Sequence, residues 1–321
     1  MDVGVDSQPD AAWELPPVSA EGPFCDELPP REGAVCMDEG WSLFPQWATL
    51  SLPDNSRAYR TLRPVYLPTV ELDRTEVTNE DYAQFLAETG GSAPSCGEGM
   101  EGLWCAGCEA FREFAMESGW EGDEIVPGRE KNPVLCVTKD EAERYCEWAG
   151  GRLPTYLEWF KAFTGEFPAA PSYPWGEELD LERFSLRQIQ YGADDGLMTI
   201  DVGSFPSGAS ATGVLDLAGS VSEYVKGCPD ELTISSAPWV RPDVRGCESG
   251  SLIAGSNWLT ISAVNASVLH VSAGALFALT ERGVGFVGES DHVLDDVQIF
   301  GILLNAPEGR SWRVGFRCAY R

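Results

Sequence analysis

The chain has 321 residues, 43% of them hydrophobic, which suffices for one large core or two modest domains. Its 51 Asp and Glu against 22 Lys and Arg leave a net charge of −29, which repels a phosphate backbone and argues against nucleic acid as a partner. The 34 glycines and 22 prolines predict many turns and few long helices, and no apolar run reaches the roughly 18 residues of a membrane helix.

Residues 1–65 read as an acidic, proline-bearing arm without apolar periodicity, suited to a flexible tail or a lipid tether. The start shows no basic or apolar leader, so a trimmed signal peptide is the expectation if the protein is exported. Cys25 and Cys36 can close a small loop within the arm. The folded domain is expected over 66–321.

Three helix starts follow, each introduced by a threonine whose oxygen can accept from an otherwise orphaned backbone N–H. Thr78 precedes Asn79-Glu80-Asp81, with Tyr82, Phe85 and Leu86 on one face and Gly90-Gly91 as the stop. Thr138 and Glu141 form a capping box ahead of Ala142, Tyr145, Cys146 and Ala149, a helical stripe ended by Gly150-Gly151. Thr155 and Glu158 form another, ahead of Leu157, Phe160 and Phe163, ended by Gly165. Beyond Gly165 helical periodicity fades, and apolar runs such as 267–271 and 297–304 read as short strands. Cysteine-bearing stretches near 92–131 and 227–250 look inserted.

Ten cysteines with two histidines, His270 and His292, favour disulfides over zinc, and hence an oxidising, extracytoplasmic compartment. Zinc held by Cys96, Cys105, Cys108 and Cys136 is the minor alternative. Two isolated histidines do not of themselves form an iron-binding facial triad.

An ordered series of blocks resembles the formylglycine-generating enzyme family. It comprises residues 70–82, 132–159 through Arg152-Leu-Pro-Thr155, Tyr173-Pro-Trp-Gly176, Asp195-Gly196, 213–224, Gly255-Ser-Asn-Trp258 and Gly315-Phe-Arg-Cys318. The resemblance implies an α+β, loop-rich, C-type-lectin-like fold. It implies a disulfide between Cys146 and Cys318. It also implies calcium at two places: Asp195 with the carbonyl of Leu197, and Asp216 and Glu223 with the carbonyls of Gly219 and Val221. Hard oxygen donors on a tight turn suit that ion.

Family members convert a substrate cysteine to an aldehyde with oxygen and copper held by two cysteines. Cu(I) prefers thiolates, and the matching interval, Trp258 to Gly315, contains no cysteine. Copper is therefore not expected. The family's Asn-Val-Trp-Glu-Trp stretch reads Ser220-Val-Ser-Glu-Tyr224 here. The expectation is a non-catalytic, exported, bacterial-type scaffold that binds a glycan, peptide or protein beside Trp258 and Trp312. A divergent sulfatase-modifying oxidase is the alternative.

Overall fold

The structure is a computed structural model. It describes residues 15–18, 22–50, 57–96, 119–169, 171, 173–178, 180, 182–184, 199–226, 251–254, 259–265, 268–273, 302–304, 310 and 314–321. It is a mixed α+β fold with three α-helices among the described residues: α1 (Asn79–Thr89), α2 (Lys139–Trp148) and α3 (Tyr156–Thr164).

All three start at the threonines expected. The amides of Asp81, Glu141 and Glu158 donate to Thr78, Thr138 and Thr155 Oγ1, each at 3.2 Å. The acidic side chains accept the threonine amides in return, at 3.2, 2.8 and 2.7 Å. Gly90 and Gly165 end α1 and α3 at positive φ, 75° and 77°, a region that glycine enters without a Cβ penalty. Every residue of α3 is buried, the mark of a helix packed on all sides.

A three-stranded antiparallel sheet joins β1 (Ala34–Met37), β4 (Val70–Asp73) and β13 (Ala319–Tyr320), with β4 in the middle. A second sheet runs in the order β11 (Ile302–Leu304), β8 (Ser251–Ala254), β7 (Ser222–Lys226) and β12 (Val314–Gly315). Its β12 lies parallel to β7, pairing Val314 with Ser222 and Gly315 with Glu223. β2 (Gly40–Leu50) and β3 (Arg57–Leu67) form a long hairpin ribbon, β5 (Trp120–Glu121) and β6 (Glu124–Ile125) a small one, and β9 (Leu259–Asn265) and β10 (Val268–Ala273) a third.

Alternation along the strands divides the interior in two. Val225 and Ala319 join Leu72, Phe44, Leu67 and the apolar residues of α3. Their chain neighbours Tyr224, Cys318 and Tyr320 join Tyr82, Phe85, Tyr145 and Phe316 on the side of α1 and α2. Successive strand side chains point to opposite faces, so β7 and β13 run between the two cores. Gly315 sits where an added Cβ would lie 3.0 Å from Val221 Cγ2 and 3.1 Å from the Val134 carbonyl.

Disulfides join Cys25 to Cys36, Cys96 to Cys136 and Cys146 to Cys318. The last ties α2 to the start of β13 across a Cα–Cα distance of 5.4 Å and closes a loop of 172 residues. Loop-closure entropy makes it worth about 5 kcal/mol at most. The Cys96–Cys136 bond takes two of the four sulfurs the zinc alternative requires, so that reading fails.

Ordered structure begins ahead of Val65. β1 and most of the β2–β3 ribbon lie within the stretch that composition assigns to the arm, and Met37, Phe44 and Val65 are core residues. Of the apolar run 297–304, the described part, Ile302–Leu304, is strand β11, and the rest lies outside the described residues; β10 runs Val268–Ala273. Most of the two presumed insertions, 97–118 and 227–250, lies outside the described residues.

Candidate functional site

The turn from Asp216 to Val221 delivers the chain into β7. Three of its residues have left-handed backbones: Asp216 (φ 59°), Gly219 (φ 79°) and Ser220 (φ 51°). For Asp216 and Ser220 that conformation carries a steric cost, which the surrounding contacts must offset. Gly203 N–H donates to Asp216 Oδ2 at 2.6 Å. Glu223, the second residue of β7, lies beside Gly315 of β12 and within reach of Arg317.

Arg317 is fully buried, yet each of its five donors finds an acceptor. Nε and Nη2 donate to Glu223 Oε2 and Oε1 at 2.7 and 2.8 Å, a bidentate pair. Nη2 also reaches the Leu215 carbonyl at 3.1 Å, and Nη1 the carbonyls of Asp73 and Arg74 at 3.1 and 3.2 Å. A guanidinium is costly to bury unless its fork is satisfied, and here it is. Arg152 lies in one of the blocks that carry the resemblance. That residue is only partly buried and pairs with Glu158 at 2.6 Å, while Arg317 occupies the interior.

Glu76 stands beside this knot without such support. It is 2% exposed, and neither carboxylate oxygen has a hydrogen-bond partner. Burial, then repulsion from Asp216, pushes its pKa well above the usual carboxylate range, with Arg317 opposing. Asp216 is raised too, chiefly by burial, against the Gly203 amide and Arg317. Three carboxyl groups, Glu76, Asp216 and Glu223, thus face one guanidinium. Sequence reading missed Glu76 and Arg317. Both lie in the blocks that carry the resemblance, but their partners are distant in the chain.

The donor chemistry fits a hard cation. The orphaned Glu76 carboxylate, Asp216 and the turn carbonyls of Gly219 and Val221 are all oxygen donors. Among the described residues no three His, Cys, Asp or Glu side chains converge on a metal by themselves, so the carbonyls would have to complete the set. Glu223 commits both oxygens to Arg317, which leaves it one further lone pair on each. Copper does not fit: the interval that should carry its thiolates has none.

Asp195, Leu197, Trp258, Trp312 and His292 lie outside the described residues. His270 is on β10, paired with Ser262 of β9.

The profile of the sulfatase-modifying factor enzyme 1-like domain matches residues 33–321. The chain belongs to this family. The hercynine oxygenase of Mycolicibacterium thermoresistibile is 30% identical over 244 residues, covering 70% of this chain and 51% of that protein. The chain therefore spans about half the length of that relative. The formylglycine-generating enzyme of Thermomonospora curvata is 29% identical over 285 residues, covering 80% of this chain and 84% of the enzyme. The solved structure of PvdO from Pseudomonas aeruginosa aligns with a TM-score of 0.49 at 19% identity, covering 89% of this chain and 93% of that one.

Proposed function

We propose that this family member is a non-catalytic, extracytoplasmic binding module on a C-type-lectin-like fold. The observation that carries the reading is the donor inventory. From Trp258 to Gly315 there is no thiol to hold copper, and the whole chain has two histidines. Disulfides at Cys25–Cys36, Cys96–Cys136 and Cys146–Cys318 support an oxidising compartment. No described helix is long and apolar enough to cross a membrane.

In this reading the cluster beneath β7 takes calcium, held by Asp216, the carbonyls of Gly219 and Val221, and Glu223, with Asp195 and the Leu197 carbonyl as a second position. The ion would supply positive charge to a group of carboxylates that Arg317 only partly balances. Ligand contact falls to Trp258 and Trp312, aromatics able to stack on a sugar ring or anchor a peptide. The occupant is a glycan, peptide or protein, and a lipid tether at the arm suits surface attachment.

Glycan and peptide arrays probed with the protein and with Trp258→Ala test the binding role. Binding that Trp258→Ala abolishes while the thermal midpoint holds supports it; binding indifferent to Trp258 and Trp312 rejects it. A second reading, a divergent oxidase, is favoured by the names of the relatives, which are oxygenases and formylglycine-generating enzymes.

A further inference from the structure

Arg310 fastens the chain ahead of β12 to the start of α2. Its Nη1 donates to the Cys136 carbonyl at 2.8 Å, and its Nη2 to Glu141 Oε1. Glu141 serves twice, because its Oε2 also accepts the Thr138 amide in the capping box. Further on, Val314 and Gly315 are held by pairing with Ser222 and Glu223 of β7. Arg310 and β12 are thus two fixed points, and the sequence puts Trp312 between them.

The acceptor for Arg310 comes from a residue in an unfavourable conformation. Cys136 has a left-handed backbone, φ 60°. A residue with a Cβ enters that region at a steric cost, and glycine does not. The disulfide to Cys96 and the packing of the buried Cys136 beside Leu135 and Val221 offset that cost. A return to the ordinary backbone region would swing the peptide after Cys136 and carry its carbonyl away from Arg310.

This disulfide is also open to chemistry that Cys146–Cys318 resists. Cys146 and Cys318 are both fully buried, whereas Cys96 is partly exposed. A dithiol can attack Cys96 Sγ as its thiolate, and Cys136 leaves as a thiolate that takes a proton. The second thiol of the reductant then closes on the first and releases Cys96 as a thiol. Two electrons and two protons pass to the cysteine pair, and the dithiol becomes a disulfide.

We propose that Cys96–Cys136 is a redox switch for the segment from Arg310 to Gly315. Oxidised, it keeps Cys136 left-handed and its carbonyl on Arg310. Reduced, it lets that carbonyl turn away, so that the segment is held at β12 alone. The switch deepens the binding role given above, since the segment includes Trp312, and it rests on that role only for what it controls.

Hydrogen exchange of the full chain tests it, without any ligand, so silent glycan and peptide arrays count against the binding role and not against the switch. Cys96→Ser with Cys136→Ser should speed exchange across 310–316 about tenfold, while α3 stays protected. Cys96→Ser with Cys136→Gly should restore the parent's rate, because glycine holds the left-handed backbone without a cross-link. On an Arg310→Gln background the serine pair should add nothing. Mild dithiol followed by alkylation and mass mapping should find Cys96 and Cys136 opened while Cys146–Cys318 is intact. Serine and glycine versions that exchange alike overturn the proposal, as does a serine pair that matches the parent. So does a Cys96–Cys136 bond that stays closed until Cys146–Cys318 has opened.

Discussion

Two buried ionisable groups, Arg317 and Glu76, are treated in opposite ways. Arg317 has all five donors met by Glu223 and three carbonyls, whereas Glu76 has both oxygens unmet. The first is a closed arrangement that the polypeptide completes by itself. The second is a carboxyl whose charge is disfavoured by burial and by Asp216, with Arg317 and Ser220 opposing. The contrast separates what holds this fold together from what the fold holds.

The largest expected effect comes from opening the closed side. Arg317→Met leaves Glu223 buried without a counter-charge and should cost about 3–5 kcal/mol in urea unfolding. Adding Glu223→Leu should return part of that loss. A double variant no more stable than the single would show that Glu223 does not depend on Arg317. Next is the clamp on the same segment: Cys146→Ser should cost about 2–5 kcal/mol, measured as a fall in thermal midpoint that reducing agent reproduces in the parent.

The open side should respond with opposite sign. Without calcium, Glu76→Gln removes a buried, repelled carboxyl and should stabilise by about 1–2 kcal/mol. With calcium it should shrink the rise in midpoint that the ion gives the parent. If chelator leaves the parent's midpoint unmoved, the cation assignment falls and a trapped proton remains.

The smallest effect concerns pH. Burial raises Asp73 from 3.8 to about 6, against hydrogen bonds donated by the Cys318 amide at 2.8 Å and Tyr320 Oη at 2.9 Å. Its folded pKa lies above its unfolded one, so its contribution is full below about pH 4 and is lost as pH rises through about 6. Asp73→Asn should flatten the stability profile across that window and leave it unchanged above it.

The same contrast marks what the sequence could reveal. Helix starts were legible because each box lies within four residues: Thr78 to Asp81, Thr138 to Glu141, Thr155 to Glu158. The Cys146–Cys318 bond followed from the family resemblance, which the 33–321 match bears out. The Arg317 knot was not legible, since its acceptors come from β4, the turn before Leu217 and β7, brought together only by packing. β2 and β3 were hidden for another reason: Pro45 and Pro64 interrupt the strand pattern, and both strands sit beside a proline-rich stretch.

The central claim is that the chain keeps its family's framework without its oxidative chemistry. It is tested most directly by incubating the protein with copper, oxygen and a cysteine-containing sulfatase-type peptide, beside a relative that has the cysteine pair, and weighing the peptides. The account predicts an unchanged peptide mass with this protein and aldehyde with the relative. Aldehyde formed by this protein would contradict it.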